Sequence, residues 1–492
     1  MKARSHGLNG ARAGLREFPR SALGGTFAAV ALVGLQACVP ANAGYEDVRQ
    51  LTSARIHQDV RWYEHDSASN VDKDTSALMR RPLNANAAVQ IALLNNQGLQ
   101  AAFEELGIAR AGLVHALRLP NPTVDAALRF KGSSEPNIDV NALEDLSELL
   151  YLPLRNGVAN AQLEVAKASV VGRVLDHAFE VRSAFYGYQA SAQIFELARS
   201  VLGAAQASSI ASQQLHEAGN ITDLALASER ALYEESRLSY MRAEASLHAQ
   251  RDALNALMGL WGKNTGWTAE ARLPEPSAIT SVLDKLEQRA LANSLDLQVI
   301  RHRGDAAAKR AHLATLQGWL PELKAGVSAE RDEQGAWGVG PAAAIAVPLF
   351  YQGQGESGAA LAEARQQQKL FADTAVQIRA AARAVATELA AVAKSVGYVK
   401  STLLPLRAEI VDGTQLQYNA MGVGVSQLIQ AKRDQITTAQ TYVTLLRDYW
   451  TLRAEAEALV AGRLPKRGLT SEEATRDAAS FEQGRTGGLR QH

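Results

Sequence analysis

The chemistry legible in this chain begins with its one cysteine. Cys38 follows Leu35-Gln36-Ala37 and closes a small, apolar run over residues 22–37, which is preceded by Lys2, Arg4, Arg12, Arg16 and Arg20. Basic residues, a short apolar stretch and small residues in that order make a secretory signal, too short to persist as a membrane-spanning helix. Leucine three places before the cysteine and alanine just before it meet the pattern of a bacterial lipobox, in which the cysteine is lipidated and becomes the new N-terminus. Gln36 is atypical at its position. A competing reading cleaves after Ala41-Asn42-Ala43, an A-x-A site, and discards the cysteine. Under either reading the protein leaves the cytoplasm.

The remaining reactive residue types are scattered. A single cysteine excludes internal disulfides and cysteine-based metal motifs. Histidines 57, 65, 115, 177, 216, 302 and 312 include no H-x-x-x-H pair that would set two imidazoles on one helix face, so no preformed metal site is expected. Gly338-Val339-Gly340 and Gly353-Gln354-Gly355 lack the strand, third glycine and helix of a nucleotide loop. No G-x-S-x-G and no other catalytic cluster occurs, so neither enzyme activity nor a cofactor is expected. Lys plus Arg and Asp plus Glu are equal at 51 each, with no basic run carrying stacking aromatics, which argues against nucleic acid as a partner.

The elements that would position any site are unusually long. Residues 155–218 contain no proline and would reach roughly 95 Å as one helix at ~1.5 Å per residue. Leu163, Val170, Val174, Val181, Phe185, Tyr188, Phe195 and Leu202 are spaced as a coiled-coil seam. Val171, Leu175 and Ala178, then Ile194, Leu197 and Val201, make a second stripe. A helix with two seams packs between two neighbours, and its many alanines permit close approach.

In chain order, residues 1–37 read as signal and 38–83 as an extended strap. A first repeat covers 84–262. In it a helix over 84–118, capped by Asn84 or Asn86, stops at Pro120-Asn121-Pro122. Strands follow at about 122–131 and 144–153, then the long helix, a turn at Gly219-Asn220-Ile221-Thr222-Asp223-Leu224 and a returning helix over 224–260. Residues 263–280 link to a second repeat at 281–462, where Ala290-Leu291-Ala292-Asn293 repeats Ala92-Leu93-Leu94-Asn95 at a constant offset of 198. Its strands fall at about 321–331 and 337–348. A second long helical stretch, about 353–421, ends in the tip Met421-Gly422-Val423-Gly424-Val425-Ser426-Gln427-Leu428. Residues 463–492 are charged and glycine-bearing and read as a disordered tail.

Val124, Ala126, Leu128 and Phe130 alternate with Asp125, Ala127, Arg129 and Lys131, and Leu323, Ala325, Val327 and Ala329 alternate with polar or small residues. Tilted strands of about ten residues are what a lipid-spanning barrel uses. Four strands cannot close a barrel, and an open sheet edge cannot sit in hydrocarbon, so a membrane role requires several copies. The alternative is two ordinary hairpins on the helices of an exported coiled-coil structural or adaptor protein.

The chain is similar to the TolC-type outer-membrane efflux family. ALLNNQGLQAAFEELGIARAGLVHALRLPNPTV at 92–124, YLPLRNGVANAQLEVAKA at 151–168, the AGNITDL and MGVGVSQL tips and the duplicated plan carry the resemblance, over about residues 84–462. It implies a mainly helical protein with a small membrane β portion, a homotrimer whose twelve strands close one barrel in outer-membrane lipid, and helices continuing through the periplasm as an α-barrel. It also implies two partners, a periplasmic adaptor and an inner-membrane pump, with the chain itself a passive duct. Gly219, Thr222, Asp223 and Leu224 in one tip and Gly422, Ser426 and Leu428 in the other fall on the family pattern for adaptor contact. Where some relatives carry acidic constriction residues, this sequence has Gln427 and Gln430, and the alignment slips by one residue at Gly424.

Overall fold

The computed structural model describes residues 44–62, 68–130, 136–332 and 334–465. The lipidation expectation at Cys38, the signal segment and the tail beyond residue 465 lie outside them.

The described residues begin with α1 (Tyr45–Ile56) and α2 (Ala68–Met79), where an extended strap was expected. Packing decides this local choice. Val48, Thr52 and Ile56, one helical turn apart, are buried, and α1 lies against the long central helix. The ring of Tyr45 meets Trp62 and Phe103 at centroid distances of 5.8 and 5.7 Å. The helix expected over 84–118 is two helices, α3 (Ala85–Asn95) and α4 (Gln97–Leu117). Asn84 caps α3, accepting from the Ala87 amide, and the extended Asn96 between the two caps α4, accepting from the Leu99 amide.

After β1 (Thr123–Arg129), the second strand is β2 (Asn137–Asp145), not 144–153. The apolar run Leu149-Leu150-Tyr151-Leu152 belongs instead to the first turns of α5 (Ser147–Glu217), and Pro153 sits inside that helix. Asp145 sets the boundary: its carboxylate accepts from the Ser147 amide at 2.9 Å and from the Ser147 hydroxyl at 2.5 Å. Tyr151 is buried with its hydroxyl donating to the Leu320 carbonyl. With 71 residues, α5 is about 105 Å long. Its seam residues Leu163, Val170, Val174, Val181, Phe185 and Tyr188 are buried, as are Val171, Leu175 and Ala178 of the second stripe. It packs against α4, α6 (Asp223–Met258) and helices of the second repeat.

The second repeat opens with α7 (Thr280–Leu283), α8 (Leu286–Asn293) and α9 (Leu295–Trp319), then β3 (Leu323–Arg331) and β4 (Trp337–Ile345). The long helical stretch that follows is α10 (Gln354–Tyr398), a π turn at Val399–Leu403 and α11 (Leu404–Asn419). Pro405 has no amide to bond back to residue 401, and the wider turn sits just ahead of it. The final helix α12 (Val425–Val460) packs against α5, α10 and α11.

The duplication is visible in hydrogen bonds. Asn96 and Ser294, 198 apart, both cap the following helix, and Asn96 and Asn293 each donate to a carbonyl near the end of a returning helix, at Leu257 and Val460. Each of those helices is followed by a glycine in the left-handed region, Gly259 at φ 67° and Gly462 at φ 93°. A Cβ on Gly259 would press on the Asn95 carbonyl, and one on Gly462 on the Asn293 carbonyl. Arg463, expected in a disordered tail, is anchored: its guanidinium reaches both oxygens of Asp176 at 2.7 Å and also pairs with Asp296. Arg463 thereby joins α5 of one repeat to α9 of the other.

Candidate functional site: sheet faces and hairpin tips

The four strands form one antiparallel sheet in the order β1-β2-β3-β4, so the two hairpins join through β2 and β3 while β1 and β4 remain edges. The register aligns side chains by face. Val124, Ala142, Val327 and Pro341 are in line, as are Ala126, Val140, Ala329 and Val339. The pattern continues toward the loops with Leu128 and Ile138, and toward the helices with Leu323 and Ile345. One face is therefore apolar across the middle of all four strands, with Glu144 at its helix end and Arg331 at its loop end. It is also open: Val124, Leu128, Val327, Val339 and Ile345 are each more than half exposed.

The opposite face carries Asp125, Arg129, Asp139, Asn141, Asp145, Lys324, Ser328 and Glu330, with Arg129 and Asp139 paired at 2.8 Å. Gly338, Gly340, Ala342 and Ala344 make the β4 part of this face small. The sequence missed the alternation of Ile138, Val140 and Ala142 with Asp139 and Asn141, although it is as regular as the one in β1.

The hairpin tips share one backbone device. At the α5 end, the Gly219 amide donates to His216 O and the Asn220 amide to Leu215 O, both at 2.8 Å, with Gly219 at φ 75°. At the α11 end, the Met421 amide donates to Tyr418 O at 2.9 Å and the Gly422 amide to Gln417 O at 2.8 Å. Both are Schellman turns. The structural counterpart of Gly219 is therefore Met421, at φ 59°, and not Gly422. This shift by one residue leaves a methionine in a conformation suited to glycine.

Thr222 caps α6, its hydroxyl accepting from the Ala225 amide at 3.2 Å. Asp223 projects into solvent with one oxygen 3.2 Å from His216 Nε2. Leu224 and Met421 are 77% and 94% exposed, so each tip ends in an apolar knob. Gln427 turns back to accept from the Gly424 amide at 2.8 Å, and Gln430 donates to Asp434 at 2.9 Å. Asp434 in turn pairs with Arg407 of α11 at 3.2 Å. Ser426 and Leu428 lie in the first turn of α12, Ser426 exposed and Leu428 half-buried. Met421 and Asp434 were not singled out from sequence, because a methionine in a glycine conformation and a carboxylate one turn further on have no local signature.

Among the described residues, no three His, Cys, Asp or Glu side chains converge as metal ligands, and no helix is long and apolar enough to cross a membrane.

No family model matches the chain. The cobalt-zinc-cadmium resistance protein CzcC of Cupriavidus metallidurans is 24% identical over 351 residues, 70% of this chain and 80% of that protein. The outer membrane channel CmeC of Campylobacter jejuni superposes with a TM-score of 0.65 at 13% identity, covering 87% of this chain and 94% of its own. The outer membrane protein VceC of Vibrio cholerae gives 0.63 at 16% identity over 77% of this chain and 96% of its own. With its duplicated helical hairpins and shared four-stranded sheet, the chain has the fold of the outer membrane channels CmeC and VceC and is similar in sequence to CzcC.

Proposed function

We propose that this chain is the outer-membrane channel subunit of a tripartite efflux pump, a passive homotrimeric duct running from the outer membrane into the periplasm. The observation that carries this reading is a single sheet with an exposed apolar face and two unpaired edges. In water such a sheet is an aggregation hazard, whereas in lipid it is half of a requirement whose other half is edge pairing. Pairing β4 of one copy with β1 of the next removes every edge, and three copies of four strands make twelve. The nine residues of β3 rise about 27 Å along the strand, or about 21 Å at a ~40° tilt, close to the ~25 Å apolar band of such barrels.

The tips are the natural seat of a periplasmic adaptor. Leu224 and Met421 present apolar side chains on turns made rigid by Schellman bonds and the Thr222 cap, with Gly219, Asp223, Gly422, Ser426 and Leu428 around them. A narrowing at Gln427 and Gln430 would be lined by neutral amides, with the nearest carboxylate, Asp434, held by Arg407. An inner-membrane pump supplies the energy, and the duct performs no chemistry. Acylation of Cys38 would add a lipid anchor.

For cargo, the name of CzcC points to divalent heavy-metal cations. The polar sheet face supports this, since Asp125, Asp139, Asp145 and Glu330 outnumber Arg129 and Lys324. Deleting the gene and measuring tolerance to cobalt, zinc and cadmium beside a panel of organic drugs tests the assignment. Metal sensitivity of the deletion strain, reversed by the intact gene, supports it. Unchanged metal tolerance with lost drug tolerance keeps the duct and changes the cargo.

A further inference from the structure

We infer that the lipid-contacting surface does not end with the strands but continues onto the helix ends, where Leu149, Leu150 and Trp319 sit in the headgroup–acyl boundary of the inner leaflet. This rests on the barrel reading and adds a surface that strand alternation alone does not reach.

The first ground is length. At ~21 Å along the membrane normal, β3 is shorter than the ~25 Å apolar band, and the seven-residue β1 is shorter still at about 16 Å. Lipid must therefore touch residues outside the strands. The second is that exposed apolar residues continue beyond the sheet at its helix-side limit. β4 continues through Val347 and Leu349, 67% and 74% exposed, and β2 is followed by Leu146, Leu149 and Leu150 at 37%, 51% and 53%. Trp319, 66% exposed, stands just ahead of β3.

The third ground decides between lipid and a neighbouring copy. Leu119 and Leu349 flank the edge strands β1 and β4, so another copy pairing there would cover them. Leu149, Leu150 and Trp319 belong to the junctions of the central strands β2 and β3, away from those edges. They are also held at one level, because the Leu146 amide donates to Leu323 O at 2.8 Å and the Tyr151 hydroxyl donates to Leu320 O. Half-buried Glu144, on the apolar face beside Ala325, marks where hydrocarbon gives way to the polar layer. Tryptophan, with an apolar body and one N–H, suits the layer just beyond it. At the loop end, exposed Trp337 and Phe130 occupy the corresponding boundary of the other leaflet.

The test uses the full-length protein in phosphatidylcholine vesicles containing lipids brominated near the headgroup, which quench nearby tryptophan emission. Trp319→Phe and Trp337→Phe are compared with the unaltered protein, each checked for an unchanged oligomer by native mass. The expected result is that each substitution removes a distinct part of the lipid-quenchable emission. Loss with W337F but none with W319F would overturn the inference while leaving the barrel in place. No lipid-quenchable emission lost with either would remove the barrel reading as well.

Discussion

Neighbouring residues of β3 offer a sharp perturbation, because Val327 and Ser328 differ by one position and therefore by one face of the sheet. Val327 is 51% exposed and lies between Ala142 and Pro341 near the middle of the apolar face. Ser328 lies between Asn141 and Gly340 on the polar face, where an arginine has open space toward the glycine. If the apolar face meets lipid, Val327→Arg places a guanidinium near the bilayer midplane at a cost of about 2–4 kcal/mol per chain. Three chains in one barrel make that roughly 6–12 kcal/mol per assembly. Ser328→Arg stays within about 0.5 kcal/mol, since the lumen side is solvated. The assay is urea unfolding of the protein folded into phospholipid vesicles, followed by the gel shift between folded and unfolded forms. In a water-exposed hairpin both substitutions would fall in the small range. Equal midpoints for V327R and S328R would therefore refute the lipid assignment of this face.

Three further outcomes follow from named contacts. Arg463→Met leaves Asp176 and Asp296 partly buried without their cation and should cost about 3–5 kcal/mol in thermal or urea unfolding. Burial pushes the Asp296 carboxyl up and Arg463 pulls it down; without the arginine the folded state binds a proton more tightly than the unfolded chain, so the deficit is largest at neutral pH and shrinks on acidification. Met421→Gly removes the left-handed strain and should stabilise the second tip locally by about 1 kcal/mol, read as slower amide exchange around 417–422. Leu224→Asp, at a 77% exposed site, should leave oligomer stability unchanged and weaken adaptor binding at least tenfold by pull-down with the purified adaptor; undiminished binding would remove Leu224 from the contact.

What the sequence revealed follows the range of the interactions involved. The α5 seam was legible because a coiled-coil spacing repeats over many turns, and burial of Val170, Val174, Val181 and Phe185 matches it. Strands β1, β3 and β4 were legible because each keeps its apolar residues on one face. The second strand was displaced because Leu149-Leu150-Tyr151-Leu152-Pro153 looks like a strand ending at a proline, while the decisive cue is a short-range Asx turn, Asp145 on Ser147. The break at Asn96 is likewise local, a helix cap hidden inside a continuous apolar pattern. The α1 helix and the anchoring of Arg463 depend on partners far along the chain, Asp176 being 287 residues away, and no window of sequence contains them. At the tips, Gly219, Thr222 and Leu224 could be placed by turn chemistry. The identity of Met421 as the second left-handed residue required the hydrogen bonds to Gln417 and Tyr418.

The most direct measurement is the native mass of the protein recovered by detergent from the outer-membrane fraction of its host. A membrane-closed duct predicts a protein that stays with that membrane until detergent is added and then runs as three chains, each lighter than the 52.7 kDa of the full sequence by the removed signal. Release into the aqueous periplasmic fraction as a single chain would contradict it, because the exposed face and both edges of the sheet would then have no lipid and no partner.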